Sequence, residues 1–263
     1  MMKILYVEWL KTKRTVIRLL TFCMPVVYAA LIIGYITLRG IDKNNQTLVF
    51  QGFFEVWTVC VIPLSIGILS GLIVHYEELA GNFSGLLSSK VSRYGLYWAK
   101  FLLLILIMTA STLIATIVLG AGLDVFLDVS ISWPIFIAAS ILAIIGTIPL
   151  LALHLWAGFR GGMGESIGIS IGGLLMAALM GATSLGDRIW QYIPWTWPVR
   201  LAKLPGAYLQ FTEDMQFPPE VISSGFVLNQ LEMGLTASSL CLVASLIGGI
   251  IWFNRWEGRK SYD

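Results

Sequence analysis

The chain has 263 residues, of which 57% are hydrophobic and only 12% charged, with a net charge of +2. Soluble domains carry about 25% charged residues, so this composition excludes a water-exposed globular surface, and a mean hydropathy of +0.81 points to one integral membrane domain. The small net charge gives no sign of a nucleic-acid partner, and Cys23, Cys60 and Cys241 lie in apolar runs with no CxxC, which argues against a disulfide framework or a metal site.

The first twenty residues, MMKILYVEWLKTKRTVIRLL, place Leu5, Trp9, Thr12, Val16 and Leu20 at helical spacing, with Lys11, Arg14 and Arg18 on another face. This predicts an amphipathic helix over 1–20 that lies in the membrane interface, apolar side down. It serves either as a topology anchor or as a docking element for a cytoplasmic partner. The basic segment is long and no A-x-A site follows the first apolar run, so the run reads as a retained span rather than a cleaved signal.

A span needs about 20 mostly apolar residues to cross the ~30 Å hydrocarbon core. Six segments qualify: 21–38, 53–74, 99–120, 133–156, 166–185 and 231–253. Ala30 and Gly34 form a small-residue notch on the first; Gly164, Gly168 and Gly172 form a ladder along the fifth. Both let another helix approach closely, within one subunit or between subunits. The glycine-rich turn at 158–164 lacks the Lys-Ser/Thr of a phosphate-binding loop and reads as a tight turn.

Two connections are richer than turns. Segment 75–100 carries His75, Glu77, Glu78 and Arg93 around Phe83, Leu86 and Leu87, an apolar knob with a charged rim that suits a soluble motor subunit. Segment 186–230 carries Trp190, Tyr192, Trp195, Trp197 and Tyr208, an aromatic belt at headgroup level. Pro194, Pro198 and Pro205 exclude one continuous helix there, so short interfacial or re-entrant helices are expected. Asp187, Glu213, Asp214 and Glu220 against Arg188, Arg200 and Lys203 make the loop faintly acidic. Trp190, Tyr192, Trp195, Trp197 and Arg200 are the substrate-handling candidates, against a plain anchoring role.

With the N-terminus inside, the inner segments hold Lys3, Lys11, Lys13, Arg14, Arg18, Lys90, Arg93, Lys100, Arg160, Arg255, Arg259 and Lys260, and the outer ones Arg39, Lys43, Arg188, Arg200 and Lys203. This asymmetry predicts both termini in the cytoplasm, with 75–100 inside and 186–230 outside. The expected architecture is an all-α integral membrane protein: a single domain over 1–263, six transmembrane helices, an N-terminal interfacial helix, and a re-entrant or interfacial segment between the fifth and sixth.

An intramembrane protease built on Glu77, Glu78 and His154 is the competing enzyme reading. It fits poorly, because Asn82 stands where the CAAX-processing class has Arg and no HExxH or GxSxG occurs. No ionisable residue lies at mid-membrane depth, which argues against ion coupling. Ser65, Ser70, Thr109, Ser111, Thr112 and Thr116 can bond backbone carbonyls. A membrane domain without an energy source of its own, carrying a rich inner loop, points to a separate motor. A non-transporting assembly or sensor subunit is a third possibility.

The loop pattern Glu78, Phe83, Leu86, Leu87, Arg93, Tyr97 and Lys100, set between the second and third spans, resembles that of type-2 ABC exporter permeases. EWLKTKRT, IPWTWPVRL and FNRWEGRK are similar to segments of lantibiotic-immunity permeases of the MutG type. Where many relatives have Pro before the turn, this chain has Lys90-Val91-Ser92-Arg93. The resemblance implies the membrane half of an ATP-driven exporter in a bacterial cell membrane. It implies no catalytic residue, metal or cofactor in this chain, with ATP and Mg bound by two copies of a partner ATPase. It also implies a second, similar but non-identical permease chain, and a lantibiotic expelled from the membrane for self-protection.

Overall fold

The computed structural model describes residues 1–39, 46–88, 91–210 and 219–258. Lys43, Lys90, Glu213, Asp214, Arg259 and Lys260 lie outside the described residues. The described chain is helical: α1 (Met2–Lys11), α2 (Val16–Arg39), α3 (Gln46–Val56), α4 (Ile62–Leu79), α5 (Ser84–Leu87), α6 (Arg93–Leu127), α7 (Trp133–Met176), α8 (Trp197–Lys203), α9 (Glu220–Ser223) and α10 (Phe226–Arg255). Among the described residues, five helices are long and apolar enough to cross a membrane.

The expected single helix over 1–20 is two helices. Arg14 takes a left-handed φ of 65°, and the Thr12 and Thr15 hydroxyls bond the Trp9 and Thr12 carbonyls, so the chain turns between α1 and α2. Arg18 then donates to the Trp9 carbonyl (3.1 Å) and the Thr12 hydroxyl (3.2 Å), capping α1 from the next helix. Cations suit a helix C-terminus, where carbonyls are left unpaired. The first long helix therefore starts at Val16, five residues before the expected 21.

α3 and α4 form one continuous rod, Gln46–Leu79, joined by a π-helical turn at Trp57–Val61. Pro63 explains the turn: it has no N–H to give the carbonyl four residues back, and its ring crowds that carbonyl. Tyr28 Oη donates to the Phe53 carbonyl (2.6 Å) and Trp57 Nε1 to Thr112 Oγ1 (3.2 Å), tying this rod to α2 and α6. Because α4 continues to Leu79 and α6 starts at Arg93, the expected 75–100 loop shortens to 80–92. His75, Glu77 and Glu78 are helical, as are Arg93 and Lys100.

The helix Trp133–Gly181 is 49 residues, which would be about 74 Å if straight. It is not straight. Gly162, at φ 83° and ψ −167°, breaks it, and His154 Nδ1 lies 3.3 Å from Ser166 Oγ. Twelve residues of straight helix would separate them by about 18 Å, so the chain folds back into two arms. These arms correspond to the segments expected at 133–156 and 166–185. α4 packs against both: Ser166 Oγ donates to the Gly67 carbonyl (2.9 Å), and a Cβ at Gly71 would meet Met163 at 3.0 Å and one at Gly158 the Val74 side chain at 3.2 Å.

Of the mid-span hydroxyls, Thr116 bonds the Thr112 carbonyl within its own helix, and Ser111 crosses to the Thr21 carbonyl on α2. Ser70 Oγ is buried with no hydrogen-bond partner among the described residues, contrary to expectation.

Gly162 lies in a backbone region open essentially to glycine, so Gly162→Ala should lower the thermal midpoint of the detergent-purified chain. The strain is worth about 1–3 kcal/mol. Gly248→Ala is the control. A Cβ there meets nothing within 4 Å, and it should leave the midpoint unchanged or raise it slightly. Equal midpoints for the two variants would contradict the reversal at Gly162.

Candidate coupling site

Four charges meet where α1, α4 and α6 come together. Lys100 Nζ donates to Glu8 Oε2 (2.6 Å) and Glu77 Oε1 (2.6 Å); Lys11 Nζ donates to Glu8 Oε1 (2.7 Å) and Glu77 Oε1 (2.6 Å). The result is a closed, neutral ring of alternating sign. Lys100 and Glu8 are 1% and 3% exposed. A buried ion needs this kind of pairing, since one partner alone would leave an uncompensated charge out of water. Burial by itself lowers the pKa of the Lys11 ammonium, but the hydrogen bonds it donates to Glu77 and Glu8, with the charges of those carboxylates, outweigh it and hold the group above its ordinary 10.5. Its share of the stability is therefore present at neutral pH and is lost only as pH climbs through the raised value.

The ring binds the N-terminal helix to the two helices that flank the 80–92 connection. Glu8 escaped the sequence reading, and its signal was a carboxylate on the apolar face between Leu5 and Thr12. The signal for Lys100 was an ammonium at the start of a span.

The connection itself differs from the exposed knob expected at Phe83, Leu86 and Leu87. Gly81, Asn82 and Phe83 all have positive φ, an uncommon conformation for a bulky residue such as Phe83. Burial of the ring compensates. It packs edge-on to Trp256 (4.9 Å) and near Phe159 (6.5 Å) and is 0% exposed. Leu86 is also buried and Leu87 half-buried. The apolar residues are thus covered by this chain's own core, because the left-handed turn rotates them inward. The residues that face outward include Leu79, Asn82, Ser84, Gly85, Val91 and Tyr94. Arg93 donates to the carbonyls of Asn254 (3.0 Å) and Trp256 (2.6 Å), fixing the end of α10 to the start of α6.

Glu77 is thereby held by two lysines, His154 faces Ser166, and His75 Nδ1 lies 3.4 Å from Glu78 Oε2 in the last turns of α4. Among the described residues, no group of three or more His, Cys, Asp or Glu is placed to hold a metal. Nothing in this arrangement assembles the protease constellation.

At the other end, the segment after Gly181 is a run of short helical turns that dives into the bundle. Gly146, deep in the first arm, would place a Cβ 2.8 Å from the Pro198 backbone. The ring of Trp195 lies 6.4 Å from that of His154. The segment expected to be re-entrant or interfacial thus turns inward against the first arm. Trp190 and Trp197 are 1% and 3% exposed, so they are core residues rather than part of a belt; Tyr192 and Tyr208 are the exposed aromatics. Arg200 is committed internally, to Asp187 (2.7 Å) and to the carbonyls of Met180 and Thr183 at the end of the second arm. The faces of Gly34, Gly164, Gly168 and Gly172 open onto nothing within 4 Å, and Ala30 is exposed beside Gly34. Packing within the described chain occurs instead at Gly67, Gly71, Gly146 and Gly158.

Lys100→Met should destabilise the purified chain by about 3 kcal/mol or more, because two carboxylates then face one lysine. Adding Glu8→Gln restores neutrality and should return part of that loss, a coupling of about 0.5–3 kcal/mol in a double-mutant cycle. Strictly additive losses in thermal midpoint would contradict the closed ring.

No curated protein and no solved structure matches the chain. The family model described as ABC-2 family transporter protein matches residues 4–171, more than half of the 263. That span runs from α1 through the charged ring and the 80–92 connection into the second arm of the hairpin, and the chain belongs to the ABC-2 transporter family.

Proposed function

We propose that this permease is the membrane half of an ATP-driven exporter that expels a lantibiotic or similar antimicrobial peptide from the bacterial cell membrane, giving self-protection. Membership of the ABC-2 family makes the chain a multi-pass membrane component of an ABC transporter. ATP hydrolysis belongs to a partner ATPase in such a system. In this reading the helical arms make six crossings, the α1 end is cytoplasmic, and two ATPase copies dock there. The re-entrant end faces outward. The similarity of EWLKTKRT, IPWTWPVRL and FNRWEGRK to immunity permeases supports the peptide substrate.

The observation that carries the coupling role is that Phe83 and Leu86, in the described part of the 80–92 connection, are anchored inward, while the helices on both sides are tied to α1 by the charged ring. A push on its outer face from an ATPase would move α1, α4 and α6 together. Phe83, Leu86, Leu87 and Arg93 then act as positioning residues, Glu77 as part of the ring, and Glu78 as part of the rim. Contact with the ATPase passes to Leu79 and Tyr94, 66% and 54% exposed. The open faces of Ala30, Gly34, Gly164, Gly168 and Gly172 are available to a second, non-identical permease chain.

Cells expressing the permease, its partner permease and the ATPase should survive a lantibiotic titration that kills cells lacking any one of them or carrying an ATPase that cannot hydrolyse ATP. The double variant Leu79→Asp/Tyr94→Asp should insert normally yet lose most of the ATPase from a pull-down, since truncated contact anchors typically cost about 2 kcal/mol or more. Full protection without ATP hydrolysis would contradict export. Wild-type capture of the ATPase by the double variant would remove the connection as the coupling surface.

A further inference from the structure

A groove of about 650 Å³ runs between the re-entrant segment and the first half of α10. It is polar at one end and apolar at the other. The polar end holds Gln191, Asn229 and Glu232; the apolar end holds Trp197, Leu240 and Cys241. Glu232 lies about 9 Å along α10 from its start, and Cys241 about 14 Å further. The polarity therefore changes along the helix axis, as it does from headgroup to hydrocarbon in a leaflet.

The polar end offers acceptors and a negative charge. No Lys, Arg or His lines the groove, and Glu232 makes no ion pair among the described residues, whose carboxylate pairs lie elsewhere. Gln191 Oε1 is buried and accepts no hydrogen bond among the described residues, while Gln191 Nε2 donates to the Arg188 carbonyl (3.2 Å). The indole N–H of Trp197 is taken by the Gln191 carbonyl (3.0 Å). An acceptor-rich pocket above an apolar trough matches a cation carried on an apolar body.

We propose that this groove is a binding site for a cationic amphiphile of the outer leaflet, with an ammonium or guanidinium head against Glu232 and Asn229 and an apolar body along Trp197, Leu240 and Cys241. The occupant is the exported molecule entering sideways from the membrane. The inference rests on the export reading above and adds to it a residue-level site on α10. Tyr192, 78% exposed, stands at the mouth.

The test uses the full-length permease in phosphatidylcholine nanodiscs and two photoreactive probes of equal chain length, a dodecylammonium and an uncharged dodecanol. Labelled peptides are read by mass spectrometry. In the wild type, peptides covering 190–197 and 229–241 should be labelled about tenfold more by the cationic probe, the share expected of a charge-assisted hydrogen bond. Glu232→Gln should bring that preference to parity, and Glu232→Asp should keep part of it. Ala237→Trp, which fills the trough, should block both probes. Glu232 is exposed, so Glu232→Gln should elute from size exclusion as the wild type does. Labelling that ignores probe charge or is untouched by Glu232→Gln would overturn the site. So would loss of labelling when the second permease chain is added, which would make the groove a subunit interface. Phosphatidylethanolamine retained in native mass spectra and abolishing the cationic preference would make it a resident lipid site, also against the proposal. No ATPase or resistance readout enters this measurement. A labelling result that goes against the site would therefore sink the groove alone and leave the export reading standing.

Discussion

Lys100 cannot be buried alone. Its ammonium is 1% exposed near the start of a membrane-spanning helix, and the rest of the α1 end follows from satisfying it. Two carboxylates must reach it, one from α1 and one from α4, and a second lysine must balance them. That requirement sets α1 against α6 and prevents α1 and α2 from forming one rod, because Glu8 has to face inward while α2 runs along the bundle. The turn at Thr12–Thr15 and the Arg18 cap on α1 accommodate the change of direction. Breaking such a pair is far more destabilising than never having made it, so the ring acts as a fastener more than as a source of net stability.

A second constraint acts at the other end. The hairpin reversed at Gly162 and the re-entrant segment need close backbone approach, and glycines at contact points supply it. Gly146 takes the Pro198 backbone, and Gly67 and Gly71 take the second arm. Trp190 and Trp197 fill the remaining volume. The α1 end thus adds the charged ring to the aromatic packing around Phe83, and the other end adds the bonds of Arg200 to close packing at glycine.

The apolar periodicity and length of the spans made the all-helical membrane class legible, and the prolines at 194, 198 and 205 exposed the broken character of the re-entrant segment. Arg14 and Gly162 show what local pattern misses. The amphipathic face over 1–20 is continuous in the sequence, yet the helix breaks, because burying Glu8 and capping α1 are tertiary demands. The apolar Phe83 and Leu86 looked like an exposed knob for the same reason. Sequence shows that they are apolar in a polar stretch, but not whether a partner or the chain's own Phe159 and Trp256 cover them. The tryptophans of 186–230 were assigned to the headgroup level by composition, whereas two of them are core. The small-residue ladder at Gly164, Gly168 and Gly172 was visible, but which glycines serve packing inside the chain depends on which face α4 occupies. Glu8 and Glu232 share a lesson: a lone carboxylate on an apolar helical face is a signal of a partner, inside the chain for one and, on our proposal, outside it for the other.

The central claim is that α1, α4 and α6 move as one body because the charged ring joins them. Spin labels at Tyr6→Cys on α1 and Leu106→Cys on α6, both exposed positions, in a chain lacking Cys23, Cys60 and Cys241, report this through their pairwise distance in the complex with the ATPase. One narrow distance, unchanged between the nucleotide-free and ATP-bound states, is the predicted result. A broad distribution, or a distance that shifts when ATP binds, would show α1 moving independently and would contradict the account.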